Sequence, residues 1–182
     1  MDYLKLHFLN SLELTFDSIC EIQPLEEIPF KNLENLNLSN NNIENIDYLS
    51  KFNLPNLMNL ILSYNKIRNI NSLSKVKFHK LQNLSLKNNQ IKNIDVFSNV
   101  SFKNLYNLDL RDNLINNIDV LKKISFTNLS KLLLSHNAIN FYNIISNLKY
   151  KSKLDIYVDK YQYHRLNSEI KIPENIKINI MD

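Results

Sequence analysis

From Leu9 onward the apolar positions of this chain recur every 24 residues without drift. Leu33, Leu57, Leu81, Leu105 and Leu129 share one column, and Leu36, Leu60, Leu84, Leu108 and Leu132 the next. Leu38, Leu62, Leu86, Leu110 and Leu134 form a third. Ile43, Ile67, Ile91, Ile115 and Ile139 follow, then Ile46, Ile70, Ile94, Ile118 and Tyr142. One polar column stands among them: Asn41, Asn65, Asn89, Asn113 and Asn137. One period earlier Leu9, Leu12, Leu14, Asp17, Ile19 and Ile22 hold the same frame, so six repeats begin near residues 9, 33, 57, 81, 105 and 129.

Each column has a physical reading. The alternating LxL predicts a short strand with one buried face. The asparagine that follows turns inward, where its amide can donate to and accept from loop backbone groups otherwise buried unpaired. Asp17 cannot donate, so the first repeat should be less well tied and wetter there. A short helical turn comes next, with Asp47, Asn71, Asp95, Asp119 and Asn143 placed as N-caps, and Gln23 followed by Pro24 in the first repeat. Leu49 with Phe52, Leu73 with Val76, Phe97 with Val100 and Leu121 with Ile124 are three apart and face one side of that turn. Phe30, Leu54, Phe78, Phe102, Phe126 and Tyr150 would stack as a spine before each strand. No repeat can cover its apolar face alone, but stacked repeats share a core, each covered Leu or Ile contributing about 1.5–3 kcal/mol.

The pattern LxxLxLxxNxIxxIxxL resembles the leucine-rich repeat family over about Leu9 to Val158. The NxIxxIxxL half is most similar to the intracellular subclass named for a regulatory subunit of protein phosphatase 1, although the unit here is 24 residues. The resemblance implies an α/β solenoid, a right-handed superhelix of strands and α or 3-10 turns, with short parallel strands on the concave face. It also implies a non-catalytic module that binds another protein. The whole chain reads as one domain. Residues 1–8, with Leu4 and Leu6 in frame, form a partial repeat, and six repeats fill 9–150. A degenerate seventh strand, LDIYV, and a C-terminal cap, IKIPENIKINI, occupy 151–182.

Composition narrows the function. The chain has no glycine, which excludes phosphate loops, dinucleotide fingerprints and nucleophile elbows in their usual form. The four histidines lie far apart without ligand spacing, and His136 with Asp112 is the one cross-strand acid–imidazole pair the frame offers. Cys20 is the sole cysteine and reads as a small packed residue. No enzyme, metal, cofactor or small-molecule substrate is expected. With no signal-peptide core and no apolar run of about 18 residues, the reading is an intracellular monomer without a membrane segment.

Net charge is +4, but unevenly spread: residues 1–48 hold two cations and nine anions, residues 49–148 thirteen and four. The frame sends Lys51, Lys75, Lys77, Lys92, Lys122 and Lys123 to the convex side, while Lys87, Arg111 and Lys131 meet Asp109 and Asp112 on the concave side. That balance argues against direct nucleic-acid binding. A ribonucleoprotein component, a phosphatase regulator and a structural remnant without a partner are the alternatives. The candidate binding surface is the concave set Ile61, Tyr64, Lys87, Tyr106, Asp109, Arg111, Asp112, Leu133 and His136, in which exposed aromatics and arginine are the usual anchors of protein interfaces. The column Asn35, Asn59, Asn83, Asn107 suggests a polar ladder for a peptide, but general use of asparagine in this chain accounts for it more simply.

Overall fold

The LxL segments become strands. In the computed structural model, which describes residues 8–124, 126–139, 145, 148, 152–166 and 171–181, the first six are β1 (Ser11–Glu13), β2 (Asn35–Asn37), β3 (Asn59–Ile61), β4 (Asn83–Ser85), β5 (Asn107–Asp109) and β6 (Lys131–Leu133). β7 (Leu154–Val158) and β8 (Ile176–Ile180) complete one sheet in sequence order, every pair parallel. Successive strands up to β7 pair at a shift of one repeat, Leu36 opposite Leu60 and Leu60 opposite Leu84. The segment read as a cap, IKIPENIKINI, therefore carries the sheet one strand past LDIYV.

One strand face is sealed. Leu36, Leu60, Leu84, Leu108 and Leu132 are buried, while residues on either side in β2, β3 and β4 are half-buried. Phe30, Leu54, Phe78, Phe102 and Phe126 stack in the same core, and Phe97 meets Phe126 edge-on at 5.9 Å. The first repeat is looser: Leu9, Leu12, Leu14, Ile19 and Leu25 are only partly covered, and Asp17 is exposed. Cys20, expected to be packed, is exposed with its thiol toward the Ser18 carbonyl, because its column faces solvent: Glu44, Arg68, Lys92 and Asn116 are exposed as well.

The asparagine column ties each coil to the one before. Asn89 Nδ2 donates to the carbonyls of Leu62 and Leu86, both at 3.0 Å, and its Oδ1 accepts from Ile67 N at 2.9 Å. Asn65, Asn113 and Asn137 repeat this geometry, and Asn41 accepts from both Asp17 N and Ile19 N. Where the column reaches Tyr161, Gln162 takes over from one residue later: it is buried, and its Nε2 donates to the carbonyls of Leu134 and Asn137. Gln162 lies on α1 (Lys160–His164), which Asp159 caps through reciprocal bonds with it.

The convex turns are 3-10 helices: Gln23–Leu25, Asp47–Lys51, Asn71–Ser74, Asp95–Ser98 and Asp119–Lys122. Their starts differ from the expected capping. Asp47, Asn71, Asp95 and Asp119 are first helical residues without a capping side chain of their own. Their N–H groups donate instead to Asn45, Asn69, Asn93 and Asn117, each two residues earlier, at 2.7–2.8 Å. In a tight turn an asparagine amide two residues back is better placed than the residue's own carboxylate. Gln23 and Pro24 likewise begin their helix, with Ile22 in front. The expectations for Leu4, Leu6, Tyr142, Asn143 and Tyr150 fall outside the described residues.

Candidate functional site

The solvent face of the sheet carries two rows of side chains across the strands. Ser11, Asn35, Asn59, Asn83, Asn107, Lys131, Asp155 and Lys177 are register partners in one. Glu13, Asn37, Ile61, Ser85, Asp109, Leu133, Tyr157 and Asn179 form the other. A groove of about 530 Å³ lies over the rows from β1 to β5. Along its floor Asn83 Nδ2 donates to Asn59 Oδ1 at 2.6 Å, and Asn59 donates in turn to Asn35. The ladder stops short of Asn107, whose Oδ1 is buried without a partner among the described residues. Three amides of the column, Asn35, Asn59 and Asn83, thus form the connected row that the ladder reading expects, and general use of asparagine is the other account of it. The signal for the ladder is its spacing of one repeat, which puts like amides on adjacent strands.

The backbone turns sharply just after each of the strands β1 to β6. Phe16, Asn40, Tyr64, Asn88, Asp112 and His136 all have φ between 52° and 62°. With no glycine in the chain, asparagine and aspartate fill this left-handed position comfortably, while an ordinary side chain costs about 1–2 kcal/mol. Tyr64 accepts that cost and stays 42% exposed. Lys87 Nζ lies 5.3 Å from its ring centre and 3.8 Å from Asp112 Oδ2. Replacing Tyr64 by asparagine should stabilise the fold by up to about 1 kcal/mol, since backbone relief exceeds the roughly 0.5 kcal/mol of an exposed cation–π contact. Urea denaturation measures this, and a lower midpoint in the variant would show that the ring contributes to folding.

A second cluster forms around Arg111. Its Nη2 and Nε meet the two carboxylate oxygens of Asp109 at 2.6 and 2.9 Å, and its Nη1 points to Met181 Sδ at 3.2 Å. The bonds to Asp109 raise the guanidinium pKa further, so this group carries its charge at every working pH.

The structure therefore brings Tyr64, Lys87 and Asp112 together, and Asp109 with Arg111. Tyr106, 55% exposed, stands before β5, at the opposite ends of the strands from Tyr64. Ile61 is half-buried in the groove wall. Leu133 and Asp109, expected at the surface, are buried at 3% and 6% exposure. Leu133 lies between Asp109 and Tyr157 in register, and the residue after β8 reaches back to Arg111, so the last strands close over this end. His136 is exposed and makes no imidazole pair with Asp112 among the described residues. Its backbone N–H donates to Asp159 Oδ2 at 2.8 Å, while the Asp112 carboxylate faces Lys87.

A family model described as leucine rich repeat matches residues 31–91. No curated protein matches the sequence. Among solved structures, an internalin (inlF) from Listeria monocytogenes is 26% identical with a TM-score of 0.68, over 88% of this chain and 45% of its own. The chain thus spans less than half of that internalin's length. A second Listeria monocytogenes internalin (inlC2) is 19% identical with a TM-score of 0.59, over all of this chain and 84% of its own. The leucine-rich repeat ectodomain of the Arabidopsis thaliana receptor kinase GASSHO1/SCHENGEN3, solved in complex with Casparian strip integrity factor 2, is 19% identical with a TM-score of 0.58. It covers 96% of this chain and 22% of its own. No helix among the described residues is long and apolar enough to cross a membrane.

Proposed function

We propose that this leucine-rich repeat solenoid is a protein-binding module that holds a partner on the open face of its sheet, without catalysis. The observation that carries the reading is Tyr64. A bulky ring is kept at a left-handed backbone position, exposed, where Asn40 and Asn88 fill the equivalent positions without strain. Local strain that the exposed contact with Lys87 offsets only in part points to function. With Lys87 against the Tyr64 ring, Tyr106 just before β5 and Arg111 just after it, the face carries the residue types that anchor interfaces. Ile61, Asp112 and His136 rim the same surface, and Asp109 and Leu133 support it from below.

Charge supports a protein over a nucleic acid. Lys87 and Arg111 each face a carboxylate, so the face has no clear surplus of cations for phosphates. Phosphatase regulation is one specific version, resting on the subclass resemblance of NxIxxIxxL. The test is affinity capture from the native cell with wild type and a Tyr64→Ala/Tyr106→Ala/Arg111→Ala variant that keeps its circular dichroism spectrum. Loss of one partner protein by the variant is expected. Equal recovery would remove these residues from the interface, and recovery of RNA alone would replace the reading.

A further inference from the structure

We infer that the groove floor over β1–β5 takes an extended segment of a partner polypeptide and reads it by its backbone, through the amide ladder Asn35–Asn59–Asn83. This rests on the protein-binding reading and names the chemistry of what is bound.

A carboxamide has two N–H donors and two acceptor lone pairs. The ladder bonds use one donor of Asn83 and of Asn59, and one acceptor site of Asn59 and of Asn35. They fix the orientation of three amides in a row and leave each with further donor and acceptor capacity. Neutral, pre-oriented amides match the one group every polypeptide repeats, a backbone N–H and C=O. They offer little discrimination between side chains. Leu36, Leu60 and Leu84 lie beneath, so the floor holds no competing charge.

The ends of the groove supply direction. Glu13 stands on β1, and past Asn107 the next register partner is Lys131, its ammonium 5.0 Å from the Tyr157 ring centre. Between them the two rows are uncharged over β2, β3 and β4. Charge complementarity places the segment's basic end over Glu13 and its acidic end near Lys131. Five strand intervals of about 4.8 Å span about 24 Å, which an extended chain of roughly 3.4 Å per residue fills with about seven residues.

The probe is a library of random peptides displayed on phage, selected on the purified full chain and followed by synthesis of the peptides recovered. N-methylation of central backbone amides should weaken binding about tenfold, the effect of about 1.4 kcal/mol, while alanine at the same positions changes it by less than about threefold. Asn59→Ser with Asn83→Ser should weaken binding similarly, with an unchanged urea midpoint. If that pair unfolds the chain, Glu13→Lys with Lys131→Glu provides the second reading, because it should select peptides of reversed polarity. No enriched peptide, or binding lost to alanine substitution but not to N-methylation, overturns the inference. Should the inference fail while the Tyr64/Tyr106/Arg111 variant still loses its partner, the protein-binding reading stands and only the backbone ladder falls.

Discussion

Asn89→Ala is expected to destabilise the protein by about 2–4 kcal/mol, more than most single substitutions on this fold. The residue is nearly buried, at 8% exposure, and its amide serves four backbone groups at once, the Lys87 carbonyl among them. Its loss leaves the Ile67 N–H without its acceptor and takes one of two amide donors from the Leu62 and Leu86 carbonyls, which keep those of Asn65 and Asn113, in a coil flanked on both sides by others. Each such buried group costs about 1–3 kcal/mol when unmade, and water entering the space recovers part of that. Because each coil contacts only its neighbours, the damage should also uncouple the two halves and lower the denaturant slope. Asn41→Ala gives the internal comparison. It serves the loosely covered first coil, where Asp17 is exposed and water can reach the freed groups, so about 1–2 kcal/mol is expected. Urea denaturation of both variants decides it. An Asn89 variant within about 1 kcal/mol of wild type would mean that the coils are held by apolar contact alone.

That this ladder could be foreseen, while the burial at one end of the candidate surface could not, has a physical cause. Burial acts on one column at a time, so Leu36, Leu60 and Leu84, or Asn65 and Asn89, repeat because each environment repeats. The helices start one residue earlier than expected, and the side chains that bond the starts, Asn45, Asn69, Asn93 and Asn117, belong to a type too common in this chain to stand out. The left-handed turn after each strand is usually marked by glycine. Here Phe16, Tyr64 and His136 occupy it beside asparagine and aspartate, so nothing in composition announces it. The burial of Leu133 and Asp109 is set by strands later in the chain. The frame sets both residues on an open face, but Tyr157 and the return of Met181 to Arg111 close that end. Periodicity shows which way a side chain points, and the covering of a face is decided by segments that have left the period.

Gln162 marks the place where the period fails and the chemistry continues. Gln162→Ala is expected to cost about 2–4 kcal/mol, by three losses together. The Asn137 carbonyl loses its donor, the Leu134 carbonyl retains only Asn137 Nδ2, and the Asp159 N–H loses the glutamine oxygen that completes the cap of α1. The side chain is 2% exposed, so solvent cannot replace it without opening the coil. Asp159 also holds the His136 N–H, so a loosened cap carries the disturbance back into β6. The effect should therefore be regional. Amide exchange is expected to rise through β7, α1 and β8 while β2 to β4 keep their protection. Gln162→Asn discriminates further, because it restores an amide one methylene short. If position matters as much as chemistry, the asparagine variant recovers little of the lost stability. If it recovers nearly all, the shift from Tyr161 to Gln162 carries no geometric demand, and the longer side chain is not what lets the ladder pass this point.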